Sequence, residues 1–330
     1  MQIGARRNNA ACGIALPPGP GGPSGPVRAG CPALPLLVLP FRVPPGAMWH
    51  VFPLDPALNV VLAALLGLVA GSWLSVVAHR LPRMMEREWR TAMREDDGGA
   101  ESDYGLWRPA WHCPSCQAAL RGWRAVPLAG WLLQRGRCGH CRQPIGLRYP
   151  MLELAAAVLF AACAWRFGPT PMALAAMGLT GALLALAWID LEHSLLPDAV
   201  TLPLIWAGLL VNLDGALAPL PLAVLGAVAG YLFLWVIFHF FRLLTGRDGM
   251  GHGDFKLMAA LGAWLGLGAL PWLLLGASLA GVLVGVLVGW SLRLAGRVGR
   301  GQPLPFGPYL ALGGILMLLA AGRPAWLQFY

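Results

Sequence analysis

Two carboxylates, Asp190 and Asp254, stand where long apolar runs meet short polar segments. Asp190 ends an apolar run, and Asp254 opens another after the glycine-rich sequence 249–253. Ionisable groups at the edge of a membrane segment are costly to bury and are therefore candidates for a functional role. Taken singly, each acid is also compatible with a solvated interfacial loop.

Together the two acids predict a specific chemistry. Two carboxylates at one depth in a medium of low dielectric constant can share a proton, so that one activates water while its protonated partner polarises a peptide carbonyl. We therefore expect Asp190 and Asp254 to be the catalytic residues of an aspartic endopeptidase. The sequence has no serine–histidine or cysteine–histidine pattern of comparable quality, and we expect His79, His239 and His252 to be structural or interfacial.

Four cysteines form a second candidate site. Cys113, Cys116, Cys138 and Cys141 make two CxxC pairs within one polar segment. Four thiolates complete the tetrahedral coordination of zinc and leave no open position, so this pattern predicts a structural zinc ion. Zinc would stabilise a small domain that is otherwise short of core. Redox exchange by one CxxC pair is the alternative.

The elements that carry these residues are predicted to be membrane helices. The chain is 57% hydrophobic and only 12% charged, which is typical of a polytopic membrane protein. The uncharged run 57–78 is long enough to cross a hydrocarbon layer of about 30 Å. Further apolar runs lie near 152–165, 172–189, 199–212, 219–241, 256–270, 272–291 and 308–327. We expect an all-α polytopic protein with about eight transmembrane helices.

The distribution of arginine predicts the orientation. The segment 79–149 holds twelve arginines and seven acidic residues, and basic loops face the cytoplasm. With eight spans, the other loops on that side are also the basic ones, whereas the opposite loops hold only Arg166. The net charge of +9 therefore indicates membrane topology rather than nucleic-acid binding. The active site and the cysteines would both face the cytoplasm.

The predicted spans and the basic segment divide the chain into four parts. Residues 1–47 are rich in proline and glycine and have no period, so we expect them to be disordered or to precede a true start at Met48. Residues 48–78 carry the first span, and residues 79–149 form the cytoplasmic zinc-binding domain. Residues 150–330 form the seven-helix peptidase domain.

The motifs from 48 to 330 resemble, in order, those of the type IV prepilin peptidases, which are intramembrane aspartyl proteases with a GxGD motif. The matching segments are 71–82, the paired CxxC motifs, 148–154, 190–198, 251–254 and 305–309. The sequence departs from the family pattern in two places. Ser75 replaces an asparagine, and Ala125-Val126 replaces Asn-Ile before Pro127.

The resemblance implies a bifunctional enzyme of the bacterial inner membrane. It implies that Asp190 and Asp254 are the catalytic aspartates, and that the substrates are type IV prepilins and type II secretion pseudopilins. The enzyme would remove a short basic leader at the cytoplasmic face. It would then methylate the new N-terminal residue with S-adenosylmethionine as the donor.

Two other classes of protein share some of these sequence features. In a zinc-stabilised membrane transporter or scaffold the acids would carry ions, and such acids lie near the bilayer centre. Here both acids lie at the cytoplasmic edge, and Glu153, near the start of its span, is the other acid within an apolar run. A zinc-ribbon nucleic-acid binder would need organised aromatic residues for stacking, and no nucleic-acid partner is expected.

Overall fold

A computed structural model describes residues 55–93, 105–106, 116, 118, 126–246, 250–294 and 305–321. Residues 1–47 and Cys113 lie outside the described residues. Within the described part the chain is helical, apart from turns and one isolated bridge between Arg137 and Pro144. The helices are α1 (Pro56–Met93), α2 (Ala129–Leu133), α3 (Arg148–Phe167), α4 (Pro171–His193), α5 (Asp198–Val211), α6 (Leu220–Thr245), α7 (His252–Leu265), α8 (Leu270–Leu294) and α9 (Gly307–Ala320).

Each of the eight predicted apolar runs forms a helix, but the helices differ in length. Among the described residues, five spans are long and apolar enough to cross a membrane: α1, α3, α4, α6 and the stretch Leu267–Leu287 that includes most of α8. Helices α5, α7 and α9 have 14 residues each. At 1.5 Å per residue, each of the three rises about 21 Å. Eight complete crossings therefore remain a prediction.

Helix α1 extends beyond its apolar run. The uncharged stretch ends at Ala78, but the helix continues through Pro82 to Met93. Residues 83–93 are mostly good helix formers, which explains why the helix persists outside the apolar region. The first part of the segment 79–149 is thus a continuation of α1.

Helix α7 lies inside the bundle. Every residue from Leu257 to Trp264 is buried, and α7 packs against α5, α6 and α9. Gly262 of α7 and Gly226 of α6 let the two backbones approach closely, as small residues do between membrane helices. The predicted span 256–270 is interrupted at Gly266, where a φ of +79° ends α7 before a 3₁₀ turn leads into α8.

Asn212 ties the ends of these helices together. Its side chain is fully buried and donates to the carbonyls of Ala263 and Trp264 at 2.8 Å. Its Oδ1 accepts from the backbone amides of Leu217 and Ala218. All the hydrogen-bonding groups of this amide are used, so the ends of α5 and α7 are held in one arrangement.

Candidate active site

Asp190 lies in the last turn of α4 and is buried, with 5% of its surface exposed. The helix ends three residues later because Ser194 adopts a left-handed conformation, and its N–H bonds the carbonyl of Asp190 at 2.8 Å. The side-chain Oδ2 of Asp190 accepts a hydrogen bond of 3.0 Å from the backbone N–H of Gly307. Asp190 is therefore fixed at both its backbone and its side chain.

Asp254 lies in the first turn of α7 and is 6% exposed. Gly251 is extended, with φ −76° and ψ 144°, and precedes the first helical residue. The backbone N–H of Asp254 donates to the carbonyl of Gly251 at 3.3 Å. The Oδ1 atom of Asp254 is buried and has no hydrogen-bond partner among the described residues. A buried, unpartnered carboxyl oxygen is expensive and is typical of a site that receives a ligand.

The fold brings these two acids together through α9. Helix α9 packs against both α4 and α7, and Gly314 of α9 faces Leu183 of α4 and Leu261 of α7. Asp254 lies close enough to Asp190 for the two carboxylates to repel each other. Two buried carboxyl groups that feel each other's charge form an arrangement that can hold one proton between them.

Gly253 allows the loops before α5 and α7 to meet. A Cβ atom at Gly253 would lie 2.6 Å from the Cβ of Leu196, in the turn between α4 and α5. In the structure, Gly253 lets the turn that follows Asp190 contact the segment that precedes Asp254.

Lys256 pairs with Asp198. The Nζ atom lies 2.6 Å from both carboxyl oxygens of Asp198. Asp198 is in the first turn of α5, which has no side-chain cap. The lysine ammonium forms a stronger hydrogen bond to this carboxylate than a backbone amide would, because both groups are charged. The pair fastens the start of α5 to α7.

A further network surrounds Glu192, two residues after Asp190. Its Oε1 accepts from the indole Nε1 of Trp188 at 3.0 Å and lies 3.5 Å from Nη1 of Arg148. Arg148 begins α3, so this network joins the start of α3 to the end of α4. The histidines His239 and His252 contact aromatic rings, including Trp235 and Phe238, which agrees with a structural role.

Gly307 was not identified as a site residue from its type. It lies at the start of α9, and a Cβ there would be 2.6 Å from Oδ2 of Asp190. The sequence signal was its place in the 305–309 motif, which was noted only as part of a resemblance. A glycine that donates its amide to an acid across the bundle leaves no pattern in local hydrophobicity.

Three of the four predicted zinc ligands cluster in the structure. The Sγ atoms of Cys116, Cys138 and Cys141 all lie within 4.8 Å of one another, and those of Cys116 and Cys138 are 3.9 Å apart. Zn–S bonds of about 2.3 Å at tetrahedral angles place sulfur atoms about 3.8 Å apart, so this spacing fits zinc. A disulfide would need about 2.05 Å. The amide of His140 also points at Sγ of Cys138, 3.4 Å away, where it stabilises thiolate charge.

Two family models match most of the helical part of the chain. Residues 65–167 match the bacterial peptidase A24 N-terminal domain, and residues 177–286 match the type IV leader peptidase family. No solved structure matches the chain.

Three curated relatives carry the name prepilin leader peptidase/N-methyltransferase. The protein of Burkholderia pseudomallei is 50% identical over 83% of this chain and 89% of its own length. That of Pseudomonas aeruginosa is 47% identical over 80% and 91%. That of Neisseria gonorrhoeae is 44% identical over 79% and 90%. The chain therefore belongs to the type IV leader peptidase family.

Proposed function

We propose that this chain removes the leader peptide of type IV prepilins and type II secretion pseudopilins and then methylates the new N-terminus. Family membership and the names of relatives at 44% to 50% identity support both activities. One structural observation carries the peptidase assignment. Asp190 and Asp254 are both buried at neighbouring helix ends, and Asp254 keeps a carboxyl oxygen without a partner among the described residues.

Asp190 and Asp254 are the proposed catalytic pair. One carboxylate takes a proton from a water molecule, whose oxygen attacks the scissile carbonyl carbon. The other carboxyl group, protonated, donates a hydrogen bond to the carbonyl oxygen as charge develops there. The C–N bond then breaks, and the leaving amine takes up a proton. The Gly307 amide holds Asp190 in place during these steps.

Methyl transfer needs a different environment. The neutral amine of the new N-terminus attacks the sulfonium methyl of S-adenosylmethionine, the C–S bond breaks, and the amine gives up a proton. The rate of such a step depends largely on positioning. We assign this task to the segment 79–149, which carries the cysteines and is proposed to face the cytoplasm together with the two acids.

The proposed zinc ligands are Cys113, Cys116, Cys138 and Cys141. The clustering and spacing of the last three support this set. Bound zinc would tie the two CxxC turns together. It would have no open position and no direct part in either reaction.

We further propose eight membrane crossings in the bacterial inner membrane, with the active site facing the cytoplasm. The concentration of arginine in the segment 79–149 supports this orientation. The division into residues 1–47, 48–78, 79–149 and 150–330 belongs to the same proposal. The partners are prepilin and pseudopilin substrates and the lipid bilayer.

The proposal is tested by incubating the purified chain with a prepilin and S-adenosylmethionine and measuring product masses. We expect loss of the leader followed by gain of one methyl group. The Asp190→Asn/Asp254→Asn double variant, inserted in the same membranes, controls for contaminating proteases. A wild-type chain that leaves the prepilin intact, or a double variant that still cleaves it, would overturn the peptidase proposal.

A further inference from the structure

A buried carboxylate outside the aspartate pair bonds the segment that carries the cysteines. Glu153 lies in the second turn of α3 and is 7% exposed. Its Oε2 accepts a hydrogen bond of 2.7 Å from the backbone N–H of Leu128. Leu128 precedes α2, which leads into the turn of Cys138 and Cys141. Neither proposed reaction step uses Glu153.

The backbone that Glu153 holds is strained. Leu128 has φ 54° and ψ −51°, and the N–H of Ala129 bonds the carbonyl of Pro127 at 2.5 Å. This is a γ-turn of the rare type with a positive central φ, which is unfavourable for a residue other than glycine. Such a conformation persists only where its surroundings hold it, and strained residues of this kind concentrate at functional sites.

Glu153 is itself held by α1. Ser72 of α1 is also buried and lies close to the carboxyl group of Glu153. Gly71 allows the close approach, because a Cβ there would lie 2.6 Å from Cα of Glu153. The packing of α1 against α3 therefore fixes the position from which the Glu153 carboxyl group bonds Leu128.

A buried cation makes a second bond of the same kind. Arg80 of α1 is 6% exposed, and its Nη1 donates to the carbonyls of Gly105 and Leu106 at 3.2 and 3.1 Å. Gly105 and Leu106 belong to the same segment 79–149. The carboxyl group of Glu153 thus accepts a hydrogen bond from a backbone N–H of this segment, and the guanidinium of Arg80 donates to two of its backbone carbonyls. Both contacts hold the segment against α1 and α3.

These attachments lie beside the peptidase site. Leu152, directly before Glu153, packs with Ala78 of α1 and Ile189 of α4 in one buried cluster. Ile189 directly precedes Asp190. The segment with the cysteines is therefore anchored on the helix ends that carry one of the two proposed catalytic acids.

We propose that Glu153 is a positioning residue for methyl transfer, which acts by holding the Leu128 turn, and with it the cysteine-bearing segment, beside the site where the new N-terminus is released. This inference rests on the proposed function. A carboxylate that only stabilised the membrane helices would affect cleavage and methylation alike. A carboxylate that positions the segment should affect methylation selectively. Its effect should depend on whether a side-chain oxygen is close enough to bond the Leu128 N–H, and not on its charge.

Three substitutions in the full chain separate reach from charge. Glu153→Gln keeps an oxygen at the same distance and removes the charge. Glu153→Asp keeps the charge but is one methylene too short to reach Leu128. Glu153→Leu removes both. Glu88→Asp, the same shortening at an exposed position of α1, is the matched control.

The readouts are cleavage of a prepilin, methylation of a pre-cleaved pilin at saturating S-adenosylmethionine, and trypsin cleavage after Arg135, Arg137 and Arg142. We expect Glu153→Asp and Glu153→Leu to lower kcat for methylation about 10- to 100-fold, the range that misplacement by about 1 Å produces. Cleavage and the KM for pilin should change less than about threefold, and trypsin should cut the segment faster. Glu153→Gln and Glu88→Asp should match the wild type within about threefold.

The inference fails if Glu153→Asp methylates as well as Glu153→Gln, or if it loses cleavage and methylation together. Unchanged trypsin sensitivity in Glu153→Asp would overturn the docking role even without an activity assay. A wild-type chain that neither cleaves nor methylates would instead count against the proposed function. If the Glu153→Leu variant does not insert into the membrane, the comparison of Glu153→Gln with Glu153→Asp still tests the inference, because both are conservative replacements.

Discussion

The Oδ2 atom of Asp190 accepts a 3.0 Å hydrogen bond from the amide of Gly307, although 117 residues separate the two in sequence. This bond joins the end of α4 to the start of α9. Because α9 also packs against α7, it connects the environment of Asp190 to the helix that begins with Asp254. The mutual placement of the two acids thus depends on the C-terminal part of the described bundle.

The first prediction concerns the acids themselves. Asp190→Asn or Asp254→Asn alone should lower leader cleavage by about a hundredfold or more, because an amide can neither take a proton from water nor share one. Membrane insertion should be unchanged. Cleavage is measured by the loss of the leader from a prepilin in solubilised membranes.

Asp198→Asn is the matched control for that prediction. Asp198 is an acid at the same end of the bundle, but its carboxylate is half exposed and pairs with Lys256. Exposed ion pairs contribute at most about 1 kcal/mol, so cleavage should fall less than about tenfold. Near-normal cleavage by Asp190→Asn or Asp254→Asn, or a loss in Asp198→Asn as large as in those variants, would refute the assignment.

The second prediction is that Gly307→Ala impairs cleavage. The new methyl group would lie 2.6 Å from Oδ2 of Asp190, so either the acid or the start of α9 must move. A shift of this size should reduce kcat about 10- to 100-fold. Gly313→Ala on the same helix is the control, since a Cβ there meets Leu273 at an ordinary 3.4 Å. Equal activity of the two variants would show that the contact with Asp190 does not matter.

The third prediction concerns the metal. Chain purified without chelator should contain one zinc ion, bound through Cys113, Cys116, Cys138 and Cys141. The Cys113→Ser/Cys138→Ser variant should lose it, because only two thiolates remain. Elemental analysis of both proteins measures this. Zinc content that is unchanged in the double variant would exclude these ligands.

The fourth prediction is that the two activities use separable residues. Asp254→Asn should fail to cleave prepilin but should still methylate a pre-cleaved pilin, because amine methylation does not need the carboxylate pair. Removing the zinc ligands should impair methylation at least as much as cleavage. Methyl incorporation into mature pilin is the measurement. If folded Asp254→Asn cannot methylate that substrate, the two reactions share a site.

The helices were predictable from the sequence because they depend on local pattern. Long apolar runs form helices in a membrane wherever they occur, since the backbone has no other hydrogen-bonding partner there. Asp190 and Asp254 stood out because acids beside such runs are rare. The end of α1 was less predictable, because Pro82 and the polar residues after it do not stop the helix.

The partners of the polar groups were not predictable, because they depend on the packing of distant helices. Lys256 lies two residues from Asp254 in sequence but bonds Asp198. Asn212 is the last residue of the predicted apolar run 199–212, and only the fold shows its four hydrogen bonds. The strained turn at Leu128 likewise has no sequence signature, since leucine is an unfavourable choice for a positive φ.

The three short helices bear on how hydrolysis obtains its water. Helices α5, α7 and α9 all begin at the end of the bundle where Asp198, Asp254 and Gly307 lie. Each is roughly 9 Å shorter than a hydrocarbon layer of about 30 Å. A bilayer meets such a mismatch by thinning beside the short helices that expose apolar residues, α5 and α9, which brings water closer to the acids. Cleavage should therefore slow in vesicles whose lipids have longer acyl chains. A cleavage rate that does not depend on chain length would argue against thinning of the bilayer beside the acids.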